Sequence, residues 1–276
     1  MSARLTLYAF LLSMALVACS GASDTQPDNM LSIPRADAQS ALVNLNVASR
    51  EVTLTSIPTT DSIFTADVGN PESVSFTTET DAQQSIIALS NDSADTSAST
   101  WALQASTALP ISFVIDTFDS TLTANLTDMN VPRFDLVTES STIDLQLPAD
   151  DTQLALDSTD STVDIFLPTG SNPSISQITS NSSLLTLNTA EGVRFDSNMV
   201  ITGGALTLAV PVSTGVQVTI TSTDNGEISL PMLARIPAEA ITYQTENYAT
   251  STAQINLTVT LDSATLRITQ TETTEE

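Results

Sequence analysis

Three consecutive segments of the chain repeat one another in register, and this limits the fold more than any other feature. They read Phe113-VIDTFDSTLTANL, Phe134-DLVTESSTIDLQLP and Leu154-ALDSTDSTVDIFLP. Leu122, Ile143 and Val163 correspond, at offsets of 21 and 20 residues. So do Ala124, Leu145 and Ile165, and Leu126, Leu147 and Leu167. Each unit reads strand, Ser/Thr/Asp corner, strand, and the second and third end on a Leu-Pro stop, because Pro cannot donate to a ladder. Looser copies run Val43-NLNVASREVTLTSIP, Val216-QVTITSTDNGEISLP and Leu257-TVTLDSATLRI. A unit of about 20 residues cannot bury its apolar face alone, so it must stack on its neighbours. The expected fold is all-β, a stacked repeat of the β-solenoid or toast-rack kind in one domain. The alternative is a β-sandwich whose strands merely look alike.

Period two extends over the rest of the chain. Ile255, Leu257, Val259 and Leu261 alternate with Asn256, Thr258 and Thr260, giving a dry face and a wet one. No stretch after the first nineteen residues keeps a helical period for three turns; a short helix near 238–249 is the one helical reading. Hydrophobic residues make up 41% and charged residues 14%, so a sizeable core is available and the polar surface is mostly Ser, Thr, Asn and Gln.

Residues that are missing exclude much chemistry. There is no His, so no Ser-His triad and no imidazole metal ligand. All seven basic residues are Arg, so there is no P-loop or Schiff-base lysine. One Cys allows no intrachain disulfide. A formal charge of -25 repels phosphate backbones, so no nucleic-acid partner is expected.

The N-terminus reads as an address. One positive charge, Arg4, precedes the apolar run Leu5–Ala18. The run is shorter than the ~20 residues of a membrane span and fits a secretory signal. It ends Leu16-Val17-Ala18-Cys19, which resembles the lipobox of bacterial lipoproteins. That resemblance implies cleavage before Cys19, acylation of its sulfur and attachment to a bacterial membrane through acyl chains, outside the cytoplasm. It also implies that Ser20 in the following position permits the outer membrane. Several acyl chains anchor stably where one does not. Residues 1–18 are thus the signal, 19–40 a flexible tether of about 20 residues reaching about 25 Å, and 41–276 the repetitive β domain. After cleavage 6 basic residues face 32 acidic ones, 6 − 32 = −26.

From about Ala41 onward the layout is similar to the bacterial toast-rack, adhesin-like domains. The matching segments are Val43-NLNVASREVTL, Trp101-ALQASTALPISFVI, Ser141-TIDLQLP, Ser161-TVDIFLP, Gly203-GALTLAVP, Asp224-NGEISLP and Tyr243-QTENYA. Where that family has Gly-rich corners, this chain has Ser, Thr and Asp, residues that form side-chain-stabilised turns. The resemblance implies a stacked β structure at the cell envelope, and its tie to stress regulators implies a membrane sensor as a third possible partner class.

Carboxylates are the only abundant reactive groups. Asp116, Asp119, Asp135, Asp144, Asp157, Asp160 and Asp164 recur with the repeat. Pairs of them suit glycoside chemistry or weak cation binding, set against a plain solvated face. Outward Thr pairs such as Thr121/Thr123 set ice binding against simple β-propensity. Trp101, Phe113 and Phe118 set a sugar platform against core packing. The leading expectation is a lipid-anchored, non-enzymatic envelope protein serving structural or adhesive contact, without cofactor, metal or catalytic residue and with Cys19 as its one modified site. A carbohydrate-binding or carbohydrate-active surface protein using Asp pairs is the alternative. An envelope protein or a polysaccharide is the partner that either reading implies.

Overall fold

The computed structural model of the chain describes residues 30–69, 74–81, 83–91, 100–236 and 241–271. The signal and Cys19 lie outside them. The repeat units form coils, each placing one strand in a twelve-stranded sheet (sheet 1) and, after a tight corner, one in an eleven-stranded sheet (sheet 2). The coils are β2 (Ser40–Ala48) with β3 (Glu51–Ile57), β8 (Ile111–Phe118) with β9 (Thr121–Asn125), β10 (Arg133–Glu139) with β11 (Thr142–Gln146), and β12 (Gln153–Thr159) with β13 (Thr162–Leu167). They continue with β14 (Ser174–Asn181) and β15 (Leu184–Thr189), then β16 (Phe195–Thr202) and β17 (Ala205–Pro211). All pair in parallel with the coils above and below.

The corresponding residues of the repeat do meet. Leu122, Ile143 and Val163 are direct cross-strand partners, as are Ala124, Leu145 and Ile165, and all six are at most 1% exposed. On the facing sheet Phe113 and Phe134 are neighbours with ring centroids 6.0 Å apart. Alternation of inward and outward residues follows from the two-residue period of a pleated strand. The aliphatic rows of the two sheets form one continuous core.

The corners explain how Ser and Asp replace Gly. Ser49, Asp119, Ser140, Asp160 and Ser182 each open a corner with φ between 49° and 56°. That conformation is unfavourable for a residue with a Cβ. It is held because each N–H donates to the carbonyl of the next coil, Asp119 to Glu139 at 3.0 Å and Ser140 to Thr159 at 3.0 Å. The second corner residue forms a buried serine ladder. The N–H groups of Ser120, Ser141 and Ser161 donate to the Oγ of Ser141, Ser161 and Ser183, each at 3.1 Å. The Ser120, Ser141, Ser161 and Ser183 hydroxyls donate back to the carbonyls of Phe118, Glu139, Thr159 and Asn181. The ladder stops at Gly204, where a Cβ would stand 2.0 Å from the Ser183 carbonyl oxygen.

Both ends depart from chain order. β6 (Gln84–Asn91) and β7 (Thr100–Ser106) lie outside β2 and β3, although they follow them in sequence. At the other end β22 (Gln254–Asp262) and β23 (Thr265–Thr271) insert between the β16–β17 coil and the earlier pair β18 (Gly215–Asp224) and β19 (Glu227–Ser229). Antiparallel strands close the ends: β1 (Met30–Pro34) on β4 (Ser62–Asp67), β5 (Val74–Asp81) on β6, and β20 (Leu233–Arg235) on β21 (Thr242–Thr245). Short or acidic edge strands limit further pairing.

Two expectations change. β1 falls within 19–40, so residues 30–34 belong to sheet 2 and not to a tether; Ile33 is buried there. Of the short helix expected near 238–249, residues 238–240 lie outside the described residues, and the rest is strand β21 over Thr242–Thr245, paired with β18 and followed by turns. Among the described residues there is no helix.

Candidate functional site

The coil registers fix where each acidic residue stands. Asp144 and Asp164 are direct neighbours on the outward face of sheet 2. Asp116 and Asp157 flank the exposed Val137 on the outward face of sheet 1. Asp119 and Asp160 occupy corners. Asp135 accepts from Arg133 Nε at 2.8 Å and forms an ion pair with it. Its hydrogen bond, and then its charge, hold Arg133 above the ordinary arginine range. Asp135 and Asp157 line one shallow, mostly apolar depression of about 270 Å³ over Leu136, Val137 and Leu156. Among the described residues no three His, Cys, Asp or Glu side chains gather as metal ligands.

Trp101 and Phe113 are fully buried and Phe118 is 47% exposed, so the three form no platform. Thr53 and Thr123 pair on sheet 2, whereas Thr219 and Thr258 pair on sheet 1. Asp144 and Asp164 interrupt the row that runs through Thr53 and Thr123.

A concave polar site lies elsewhere, on sheet 1, and has a structural cause. β14 and β16 pair only from Ile178–Asn181 to Met199–Thr202. Below that ladder the next contact is the Arg194 N–H donating to the Ser171 carbonyl at 3.1 Å. Between these two points one side has residues 172–177 and the other 195–198, so β14 carries extra length. The same surplus appears as a register shift against β12 beside Ser176. Bulges of this kind open a sheet locally and re-aim side chains. The result is a cleft of about 380 Å³ lined by Asn172, Pro173, Ser174, Arg194, Asp196, Gln254 and Asn256. Its size falls at the lower end of small-molecule sites, about 300–1,000 Å³.

The loop after β21 organises one wall. Asn256 Nδ2 donates to Asp196 Oδ1 at 2.6 Å, and the Tyr248 hydroxyl donates to Asn256 Oδ1 at 2.5 Å. Gln254 Nε2 donates to the Tyr248 carbonyl at 2.8 Å. Both ends of the Asn256 amide are therefore fixed. The loop packs closely on Gly215, where a Cβ would meet Tyr248 Cα at 2.9 Å.

Sequence reasoning did not single out this cleft. The available signal is a repeated triplet, Arg133-Phe134-Asp135 and Arg194-Phe195-Asp196, near the start of the sheet 1 strand in two coils, although Arg133 opens β10 and Arg194 stands just before β16. In the first, Arg and Asp pair. In the second, among the described residues no ion pair joins them, and Arg194 and Asp196 both face solvent.

No protein-family model matches the chain. No curated protein matches it in sequence. Among solved structures it is similar to a "putative cell adhesion protein" from Clostridium sporogenes, with a TM-score of 0.46 and 12% identity over 88% of this chain and 98% of that one.

Proposed function

We propose that this chain is a bacterial surface lipoprotein whose stacked β domain serves structural or adhesive contact outside the cytoplasm, and not catalysis. Cys19 carries the acyl chains, and the domain presents its outward faces to envelope proteins or polysaccharide. The observation that supports this most is the pair of outward faces. Twelve strands at about 4.8 Å give a continuous surface about 50 Å long. The eleven-stranded face is similar in length, and rows of polar residues such as Thr121, Thr142 and Thr162 on it offer many weak polar contacts in one rigid plane. Such a plane suits repeated, multivalent contact better than a single deep site.

Cell fractionation and intact mass of the extracted protein test the reading. The native chain is expected in the membrane fraction with acyl mass on its N-terminal cysteine, and Cys19→Ala in the soluble fraction. Equal release of both, or an unmodified Cys19, would remove the anchor.

A further inference from the structure

We propose that the cleft between β14 and β16 is a binding subsite for an uncharged saccharide, read by Arg194, Asp196, Asn256 and Gln254. The inference goes beyond the contact reading and takes from it only the location of the ligand outside the cell.

A sugar hydroxyl both donates and accepts, so a site for adjacent hydroxyls needs donors and acceptors side by side. Arg194, just before β16, and Asp196, on it, are both exposed, two residues and so about 7 Å apart along extended backbone. On β10 the same triplet closes into the Arg133–Asp135 ion pair, which leaves little for a ligand. On β16 Asn256 takes one oxygen of Asp196, Tyr248 fixes Asn256, and the guanidinium stays apart. This leaves the second Asp196 oxygen and the Gln254 Oε1 as acceptors, with the Arg194 N–H groups as donors lining the same cleft. Asn172 and Ser174, both exposed on the opposite wall, add further donors and acceptors. Asp196, Asn256 and Gln254 are held in place before binding, which reduces the ordering cost of weak saccharide contacts. A formal charge of -25 and the Asp196 carboxylate inside the cleft disfavour an anionic ligand.

Titration calorimetry of the full chain in detergent tests this with neutral di- and trisaccharides built from glucose, galactose, mannose and N-acetylglucosamine, and with trigalacturonate as the charged comparison. At least one neutral saccharide is expected to bind. Arg194→Gln and Asp196→Asn should each weaken it about tenfold or more, while the thermal transition stays in place. Tyr248→Phe keeps the ring and frees Asn256. It should weaken binding while shifting the Arg194 side-chain N–H resonance toward that of Arg133. Arg133→Gln, on the closed triplet, should bind as the parent does. No binding by any neutral saccharide at about 10 mM, tighter binding of trigalacturonate, or parent-like binding by both Arg194→Gln and Asp196→Asn would overturn the proposal. Cys19→Ala should bind unchanged, so loss of anchoring and loss of binding are separable.

Discussion

The Tyr248 hydroxyl donates to Asn256 Oδ1 at 2.5 Å, and through Asn256 it governs Asp196, a residue on another strand. The loop that carries Tyr248 rests on Gly215, where an added Cβ would meet Tyr248 Cα at 2.9 Å and Ser251 Cβ at 3.0 Å. Gly215→Ala must therefore push the loop outward. Urea unfolding is expected to show a loss of about 1–3 kcal/mol. A parent-like midpoint would show that the loop is not seated as described.

The serine ladder makes a second prediction. Ser141→Ala removes the acceptor of the buried Ser120 N–H and leaves that group without a partner. The expected cost is about 1–3 kcal/mol. Gly204→Ser, which by composition would extend the ladder, should cost more than about 3 kcal/mol. Its Cβ would fall 2.0 Å from a backbone oxygen and no rotamer relieves that. A Gly204→Ser variant as stable as the parent would refute the corner geometry.

Adjacent leucines separate the dry and wet faces. Leu184 is 55% exposed and Leu185 is 1% exposed. Leu185→Ala should cost about 2–5 kcal/mol, and Leu184→Ala less than about 0.5 kcal/mol. Equal costs would mean that the strand register is wrong by one residue.

How much of this was legible before the structure varies with the kind of information. The rows through Leu122, Ile143 and Val163 were plain because a period of two repeated at a fixed offset specifies both face and register. The order of the coils was not. Every coil offers a similar row of Leu, Ile and Val, so nothing local says that β22–β23 belongs inside β18–β19. Met30–Pro34 is too short to establish a period and ends in Pro, so β1 carries no strand signal of its own. The cleft was hidden for a related reason. The extra residues around Ser176 still look like a strand, and only the neighbouring ladder shows that they do not pair with β16. The Arg-Phe-Asp triplet was visible, but its two copies differ through Asn256 and Tyr248, more than fifty residues away in sequence.

Charge gives a further prediction. Asp144 and Asp164 face each other across a parallel ladder in a chain of net charge -25. Like charges placed so are destabilising. Raising NaCl from about 0.1 M to about 1 M shortens the screening length from about 10 Å to about 3 Å. The melting temperature is expected to rise, and Asp144→Asn to stabilise by up to about 1 kcal/mol at the lower salt and by less at the higher. A melting temperature that falls with salt would contradict self-repulsion as a term in stability.

The stack itself is tested most directly by distances between spin labels in a Cys19→Ala background. Thr123, Asp144, Asp164, Thr186, Thr207, Arg267 and Ser229 form one outward row in that spatial order. With one label at Thr123→Cys, partners at Thr207→Cys, Arg267→Cys and Ser229→Cys should lie at about 19, 24 and 29 Å, one strand spacing per step. Ser229 should thus be farther than Arg267, although it precedes it in the chain. Distances that follow chain order, or that do not grow by a constant step, would contradict the stacked arrangement.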